Sequence, residues 1–513
     1  MALSVGLTAL FLVGFRLILK DWEKAGVLCS LLVILFFFFG HIANSLEKWT
    51  LQRHLSFEIS TLAWIWLVLF LLLSFIILQT SLSDKFTQLL NIVSIMLIIF
   101  PMITIISTTI AISTDHQSER DVISQIRGDI KAEASVNERS QSELPDIYYI
   151  IFDAYERADL LQEFYGYDNS AFIEALEDRD FYVASDSRSN YLSTTYSLNT
   201  SLNLIYFHDF PTSILRQARY NLRTNYVNNF LRDQGYQVVV FDSGTGDTNN
   251  QYADIFVSPE SIQSGNGSEA NPFEQLLLRT TVWLLLDRRG SLESAPEGAD
   301  DPVISFSSVN HELSVRRERI SHAFEHLTEY ASKEGNYFLF AHIYLPHIPF
   351  LYGPDGEELK YSEDLSLYWY AGESNSYIEY YTYQLDYLNK AVLNAIDTIL
   401  AESEKPVVII LQSDHGDGKY LDWDEPTAQG VNIRSAIHNS IYYSDLSYQT
   451  LYSTITPVNT FRLTLNHWFG TQYPILPDKV YFHEHPLSTP FNETPNFIEC
   501  CAQFGLCLPD HAE

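Results

Sequence analysis

Basic residues are scarce in this chain: 31 Lys and Arg stand against 64 Asp and Glu in 513 residues, a formal net charge of -33. Residues 1–113 hold six basic and five acidic side chains, a balance of +1, so the remainder carries about -34. Such a field disfavours nucleic acid and repels anionic surfaces, and a phosphate-type substrate needs a cation at its site. Cysteine is sparser still. Of four, Cys29 lies in an apolar run and Cys500, Cys501 and Cys507 cluster at the far end. That permits one disulfide and a leftover thiol, and it leaves the central region without a thiol nucleophile or a thiolate metal site. The apolar cores from residue 26 onward lack charge, with only His41 near one end, which counts against a transporter or sensor whose spans do the work. No internal repeat is present, and 46% hydrophobic content with 14% aromatics argues against disorder.

What is present begins as membrane. GVLCSLLVILFFFFGHIAN (26–44), ISTLAWIWLVLFLLLSFIILQT (59–80) and LNIVSIMLIIFPMITIISTTIAI (90–112) each approach the ~20 residues a spanning helix needs. A fourth run, MALSVGLTALFLVGFRLILK, is shorter and carries Arg16, but it has no cleavage site and further spans follow, so it reads as a span and not a signal peptide. Four spans put both termini on one side. Lys and Arg flanks are nearly balanced between the two orientations, with Arg16, Lys20, Lys24 and Lys85 against Lys48, Arg53, Arg120, Arg127 and Lys131. The expected organisation is a membrane domain of about four helices at 1–113, a polar linker or juxtamembrane helix at 114–144, a folded domain at 145–475 and a tail with the cysteine cluster at 476–513.

The folded domain starts where DIYYIIFDAY (146–155) replaces mixed charge with a continuous apolar run ending in Asp, the pattern of a buried parallel strand. NSAFIEALEDRDF has helical spacing, YQVVVFDSG reads as a strand, ISHAFEHLTEYASKEG as a helix, and NYFLFAHIYLPHIPF as a strand entering a Pro-His loop. A long helix, YIEYYTYQLDYLNKAVLNAIDTILAESEK, precedes another buried strand, PVVIILQSDHG. Alternating strands and helices predict an α/β domain with a central, mostly parallel sheet flanked by helices, whose ligands gather at strand C-terminal ends. Gly- and Ser-rich stretches near 243–272 and 289–302 read as surface insertions.

Three strand-end residues carry metal chemistry: Asp153, and the adjacent Asp414 and His415 in ILQSDHGDG. Carboxylates with one imidazole suit Zn or Mn better than Ca, which prefers oxygen alone. Each is ordinary by itself, a strand-terminal Asp or a turn Asp-His; their convergence at one sheet edge is what points to a site. A metal so held has an open position, and a hydroxyl there becomes a nucleophile. SNYLSTTYSLNTSLN (189–203) offers such hydroxyls where a helix is predicted to start, with Ser193 or Thr194 as its cap; a plain Ser/Thr cap is the alternative.

An Asp ending a first strand, a hydroxyl residue opening a helix about forty residues later, a Pro-His-x-Pro-Phe loop and a late strand ending in Ser-Asp-His-Gly resemble the alkaline phosphatase superfamily. The arrangement is most similar to its membrane-anchored sulfatase-like branch, which includes lipoteichoic-acid synthases and phosphoethanolamine transferases. The resemblance covers roughly residues 145–475 and takes in TPVNTFRLTLNHWFG. It implies that Asp153, Asp414 and His415 ligate one divalent metal rather than two, Zn or Mn. It also implies that Thr194, with Ser193 and Thr195 as rivals, is both ligand and nucleophile. By the same resemblance His347 in LPHIPF contacts substrate and takes part in catalysis, and His438 in SAIHNSIYY binds substrate. His342 is expected in the core. The Cys-x-Pro-Ser-Arg element of ordinary sulfatases is absent, which disfavours formylglycine-based sulfate-ester hydrolysis. The implied protein is an integral, multi-pass cell-membrane enzyme with an extracytoplasmic catalytic domain. It would move a phosphoryl-containing head group from a membrane lipid donor to an envelope glycan or lipid acceptor through a covalent threonine. The alternatives are a hydrolase (phosphodiesterase or sulfatase type) using the same site, and an inactive membrane scaffold.

Overall fold

Eight consecutive buried residues, Asp146–Asp153, form strand β1 at the centre of a seven-stranded sheet. The computed structural model describes residues 2–51, 59–80, 144–209, 222–246, 248–250, 253–263, 281–282, 306–359, 376–483 and 496–509. The chain forms two compact units, residues 1–117 with 265–307, and 118–264 with 308–513.

In the first unit, α1 (Ala2–Leu19), α2 (Trp22–Leu51) and α3 (Ile59–Gln79) follow the apolar runs. Two stretches, Trp22–Ala43 and Ile59–Gln79, are long and apolar enough to cross a membrane, and Thr8–Leu19 is a shorter apolar helix. The expected span at 90–112 lies outside the described residues. Helix α3 leaves Leu71 58% and Phe75 60% exposed, a surface that lipid covers without cost and water does not. Where α2 and α3 meet they bury Phe39, Ala43 and Leu62, and the Trp66 indole N–H donates to the Leu35 carbonyl at 2.9 Å.

The second unit contains the sheet, in the order β2 (Tyr182–Val183), β7 (Asn439–Tyr443), β6 (Val407–Ser413), β1, β5 (Tyr337–Pro346), β3 (Gln237–Phe241), β4 (Ile255–Val257). β6, β1, β5, β3 and β4 run parallel, and β7 pairs antiparallel with β6 and with β2. The sheet is therefore mostly parallel, as the alternating pattern predicts. Its central strands read as unbroken apolar runs because both faces are covered. On one face Ile147, Tyr149 and Ile151 share a core with Phe338, Phe340, Val408 and Ile410, and with Leu198 and Leu202 of α5 (Thr194–Asn203). Phe461 of α10 (Pro457–Phe469) closes that face, its ring 4.9 Å from Tyr149 in an edge-on contact. On the other face Tyr148, Ile150 and Phe152 are equally buried.

The remaining helices are α4 (Ser170–Glu177), α6 (Tyr226–Asp233), α7 (Phe306–Thr328), α8 (Ser376–Glu402) and α9 (Ala428–Ser435). Helix α7 begins well before the predicted ISHAFEHLTEYASKEG and ends at Thr328, inside it. The stretch 243–272, expected as a surface insertion, supplies edge strand β4, and its Thr248 reaches a buried histidine described below. The stretch 289–302 lies outside the described residues. At the end of the chain Cys501 and Cys507 form a disulfide and Cys500 is a buried free thiol, the pairing arithmetic the sequence permits.

Candidate metal and nucleophile site

Parallel pairing of β1 with β6 sets Phe152 opposite Ser413, so the residues that follow, Asp153 and Asp414, leave the sheet side by side. Both are buried, as is His415. One ligand atom from each lies within 4.8 Å of the others. Local backbone geometry aims them. Ala154, at φ +65°, turns its N–H to Asp414 Oδ1 at 3.2 Å, and the His415 N–H donates to the same oxygen at 2.8 Å. Asp414 Oδ2 is thereby left facing His415 Nε2 at 3.4 Å, and Asp153 Oδ1 lies 3.9 Å from the same nitrogen. Neither of these two buried carboxylate oxygens has a hydrogen-bond partner. Partnerless buried oxygens are rare in native proteins, and two beside an imidazole nitrogen fit a divalent cation.

Gly416 makes the turn possible, since a Cβ there would lie 2.4 Å from the Ile433 carbonyl and 2.7 Å from Glu156 Oε2. The His415 Nδ1–H donates to the Gly416 carbonyl at 3.0 Å, the tautomer that leaves Nε2 with its lone pair. Arg434, at the end of α9, ties this loop to the next element: it donates to Gly416 O at 3.0 Å and to Leu192 O at 3.1 Å, and its Nη2 is 3.1 Å from His415 Nε2. Leu192 leads directly into Ser193, the N-cap of α5, and Thr194, its first residue. Thr194 Oγ1 sits 3.3 Å from His415 Nε2. Of the three adjacent hydroxyl residues, Thr194 is the one placed at His415; Ser193 Oγ is buried with no partner.

The electrostatics are those of a cation site. Burial and the neighbouring Asp153 charge push Asp414 up to about 7. Burial acts on Asp153 in the same direction, but His347, His342 and His415 around it hold it below the ordinary carboxylate range. Burial, then the Arg434 charge, keeps His415 well below the usual histidine value, so its imidazole is neutral and its Nε2 accepts from Arg434.

His347 is half-buried at the margin: its backbone N–H donates to the Asp153 carbonyl at 3.1 Å and its ring lies 4.9 Å from Tyr344. The Arg316 guanidinium of α7 sits 4.7 Å from the centre of the Tyr344 ring, paired with Glu312 at 2.8 Å. His342 corrects an expectation. In phase with Phe338 and Phe340 on β5, it is as buried as a core residue, yet its Nε2 lies 3.4 Å from Asp153 Oδ2 and 3.9 Å from Asp414 Oδ2. Thr248 Oγ1 fixes its other nitrogen at 2.9 Å. The structure does not bring His438 to the cluster. Its ring packs between Phe152, Tyr155 and Phe172, where burial lowers its pKa to about 3. The second Asp of SDHGDG, Asp417, is also occupied elsewhere, accepting the hydroxyls of Tyr165 and Tyr377. Sequence reasoning missed Arg434 and Gly416 altogether. The signal for His342 was its period-two phase with Phe338 and Phe340 at the end of a strand.

Comparison with solved structures finds likeness of fold over most of the soluble part. The C-terminal periplasmic domain of EcEptC from Escherichia coli, in complex with Zn, is 13% identical, covers 73% of this chain and 96% of that one, and has a TM-score of 0.43. The soluble domain of lipooligosaccharide phosphoethanolamine transferase A from Neisseria meningitidis is 12% identical over 65% of this chain and 90% of that one, with a TM-score of 0.40. BT33494S-sulf, from a glycosaminoglycan-metabolism locus of Bacteroides thetaiotaomicron, is 11% identical over 70% and 84%, with a TM-score of 0.40. These are proteins of the kind the motifs resemble. No protein-family model and no curated protein matches the sequence. At such identities and TM-scores the chemistry has to be argued from the side chains.

Proposed function

We propose that this chain is a membrane-anchored, metal-dependent phosphotransferase. In this reading it moves a phosphoryl-containing head group, of phosphoethanolamine or phosphoglycerol type, from a phospholipid to an envelope glycan or lipid through an ester on Thr194. One observation carries the proposal: the Thr194 hydroxyl lies 3.3 Å from His415 Nε2, beside two buried carboxylate oxygens that have no hydrogen-bond partner. A helix-capping hydroxyl does not need such neighbours; a nucleophile does.

Asp153, Asp414, His415 and Thr194 are the residues that would hold the metal, Zn or Mn by donor type. The chemistry a bound ion supplies there is Lewis-acid charge, which lowers the pKa of the threonine hydroxyl and offsets charge on phosphoryl oxygens. Thr194 Oγ gives up its hydroxyl proton to solvent and forms its bond to phosphorus in line with the ester bond that breaks. The departing oxygen takes up a proton, and His347, half-buried at the margin, is the residue suited to deliver it. Because Thr194 opens α5, the positive end of that helix dipole lies at Thr194 and favours anionic oxygens there. Arg316 adds a fixed positive charge beside Tyr344, in a chain otherwise strongly acidic. Resolution of the Thr194 ester by a sugar or lipid hydroxyl makes the enzyme a transferase; resolution by water makes it a hydrolase.

The apolar helices α2 and α3 support tethering at a bilayer, where a phospholipid donor is at hand. The disulfide between Cys501 and Cys507 suits an oxidising compartment and so an outward-facing domain. The decisive experiment is to incubate the full-length protein with total envelope lipids and analyse the peptide spanning 189–203 by mass spectrometry. The expected result is an adduct on Thr194, absent in Thr194→Ala, whose mass identifies the transferred group. An unchanged adduct in Thr194→Ala, or transfer activity unaffected by that substitution, would sink the proposal.

A further inference from the structure

Helix α7 carries a second group of metal-ligand side chains, separate from the strand-end cluster. Glu318, His322, His326 and Glu329 follow at intervals of four, four and three residues along 306–329, the spacing that puts side chains in one row of a helix. All four are exposed or half-buried, while the intervening Ala323 and Leu327 face the core. The row is therefore a solvent face and not a packing seam. The two imidazoles are in contact, their ring centres 3.8 Å apart and their planes at 85°. The contact is edge to face, so the rings must turn about their side-chain bonds to share one ion, which the i and i+4 spacing of helical zinc sites permits.

The surroundings favour a cation. His326 Nδ1 is 2.8 Å from Glu329 Oε1. Donating its Nδ1–H to that carboxylate fixes the ring in the tautomer whose Nε2 lone pair is free, the arrangement metal-bound histidines use. Glu318 and Glu325 add negative charge on the same turns, and α7 ends at Thr328, so His326 lies by the negative pole of the helix dipole. Lys333, 3.5 Å from the other oxygen of Glu329, is the one opposing charge among these contacts.

We propose that His322 and His326 chelate a borderline divalent cation, Zn2+ in the first instance, with Glu329 orienting His326 and water completing the coordination. Chelation across one turn ties together the last turns of α7, the helix whose earlier turns carry Arg316. The proposal stands apart from the transferase reading, because it uses none of the strand-end residues.

The test is zinc binding by full-length protein in detergent, measured by equilibrium dialysis with elemental analysis at fixed free Zn2+. The His322→Ala/His326→Ala double variant is expected to hold about one Zn2+ fewer per chain than wild type, and Glu329→Ala to bind that ion about 10-fold more weakly. Substituting Asp414→Asn in addition removes the strand-end ion, so the two sites are counted separately. Cu2+ titrated into the Asp414→Asn protein gives a second readout on a chain whose α7 is intact: its electron paramagnetic resonance spectrum is expected to show nitrogen couplings from two imidazoles. Unchanged zinc stoichiometry and affinity in the double variant, or a copper spectrum without those couplings, overturns the proposal.

Discussion

Replacing Asp414 by Asn should make the metal-free protein more stable and at the same time remove the response to metal at the strand-end site. In the folded chain burial and the Asp153 charge raise Asp414 from 3.8 to about 7. Below pH 3.8 the group is protonated in both folded and unfolded chains and costs nothing. As pH rises, the unfolded chain releases this proton first, so stability drains away until the folded group ionises near 7. A rise of that size corresponds to roughly 4 kcal/mol lost by about pH 8, as an order of magnitude. The amide introduced by Asp414→Asn would keep the acceptor that takes the Ala154 and His415 N–H groups, and would present a donor to Asp153 in place of a second negative charge. Added Zn2+ narrows the gap: in a His322→Ala/His326→Ala background, at about 100 times the Kd of the strand-end site, it stabilises the chain with Asp414 by about 2.7 kcal/mol and leaves the Asp414→Asn chain unmoved. Thermal unfolding of both full-length proteins, with chelator and with Zn2+, at about pH 5 and about pH 8, reads all of this. If the variant is no more stable than wild type in chelator at the higher pH, or if Zn2+ stabilises both equally, the carboxylate pair is not a cation site and the reasoning fails.

Three further outcomes are expected. Thr194→Ala should lower head-group transfer from defined phospholipid vesicles by ~10³-fold or more, while Thr194→Ser retains a measurable fraction; equal activity of Ala and Ser variants would assign the hydroxyl a capping role only. Gly416→Ala must move either His415 or the Ile433 carbonyl, 2.4 Å from the new methyl, and is expected to weaken Zn2+ retention by about 10- to 100-fold in a chain that still folds. Cys501→Ser opens the short loop to Cys507 and should lower unfolding stability by about 2 kcal/mol, an effect reproduced by a reductant acting on wild type and absent when both are reduced.

The metal-ligand reading was available before any fold because a buried parallel strand has a distinctive composition. DIYYIIFD and VVIILQSDH carry unbroken apolar runs, IYYIIF and VVIIL, that end in polar residues where the sheet opens, so Asp153, Asp414 and His415 stand out at the strand ends. The start of α5 was legible too, since Ser193 and Thr194 precede an amphipathic run. The histidines were harder. His342 was expected in the core and His438 at the substrate, yet His342 faces the carboxylates from the end of β5 while His438, in the turn before β7, packs in a ring cluster; such directions depend on strand phase and on how a turn enters the sheet. Edge strand β4 was taken for an insertion because three residues, Ile255–Val257, give too little periodicity to recognise.

By itself, then, the sequence determined the class of sheet, the long apolar N-terminal helices, the residue types at the strand ends and the number of cysteines free to pair. Those properties are local, set by hydrophobic pattern and by chemistry within a few residues. Tertiary structure alone decided that Thr194, 221 positions from His415, is the hydroxyl that meets it, that Arg434 locks the two loops together, and that Gly416 is the one residue the turn admits. Contacts between such distant segments arise from strand order and helix packing, and no spacing along the chain encodes a distance of a few ångströms across the sheet edge.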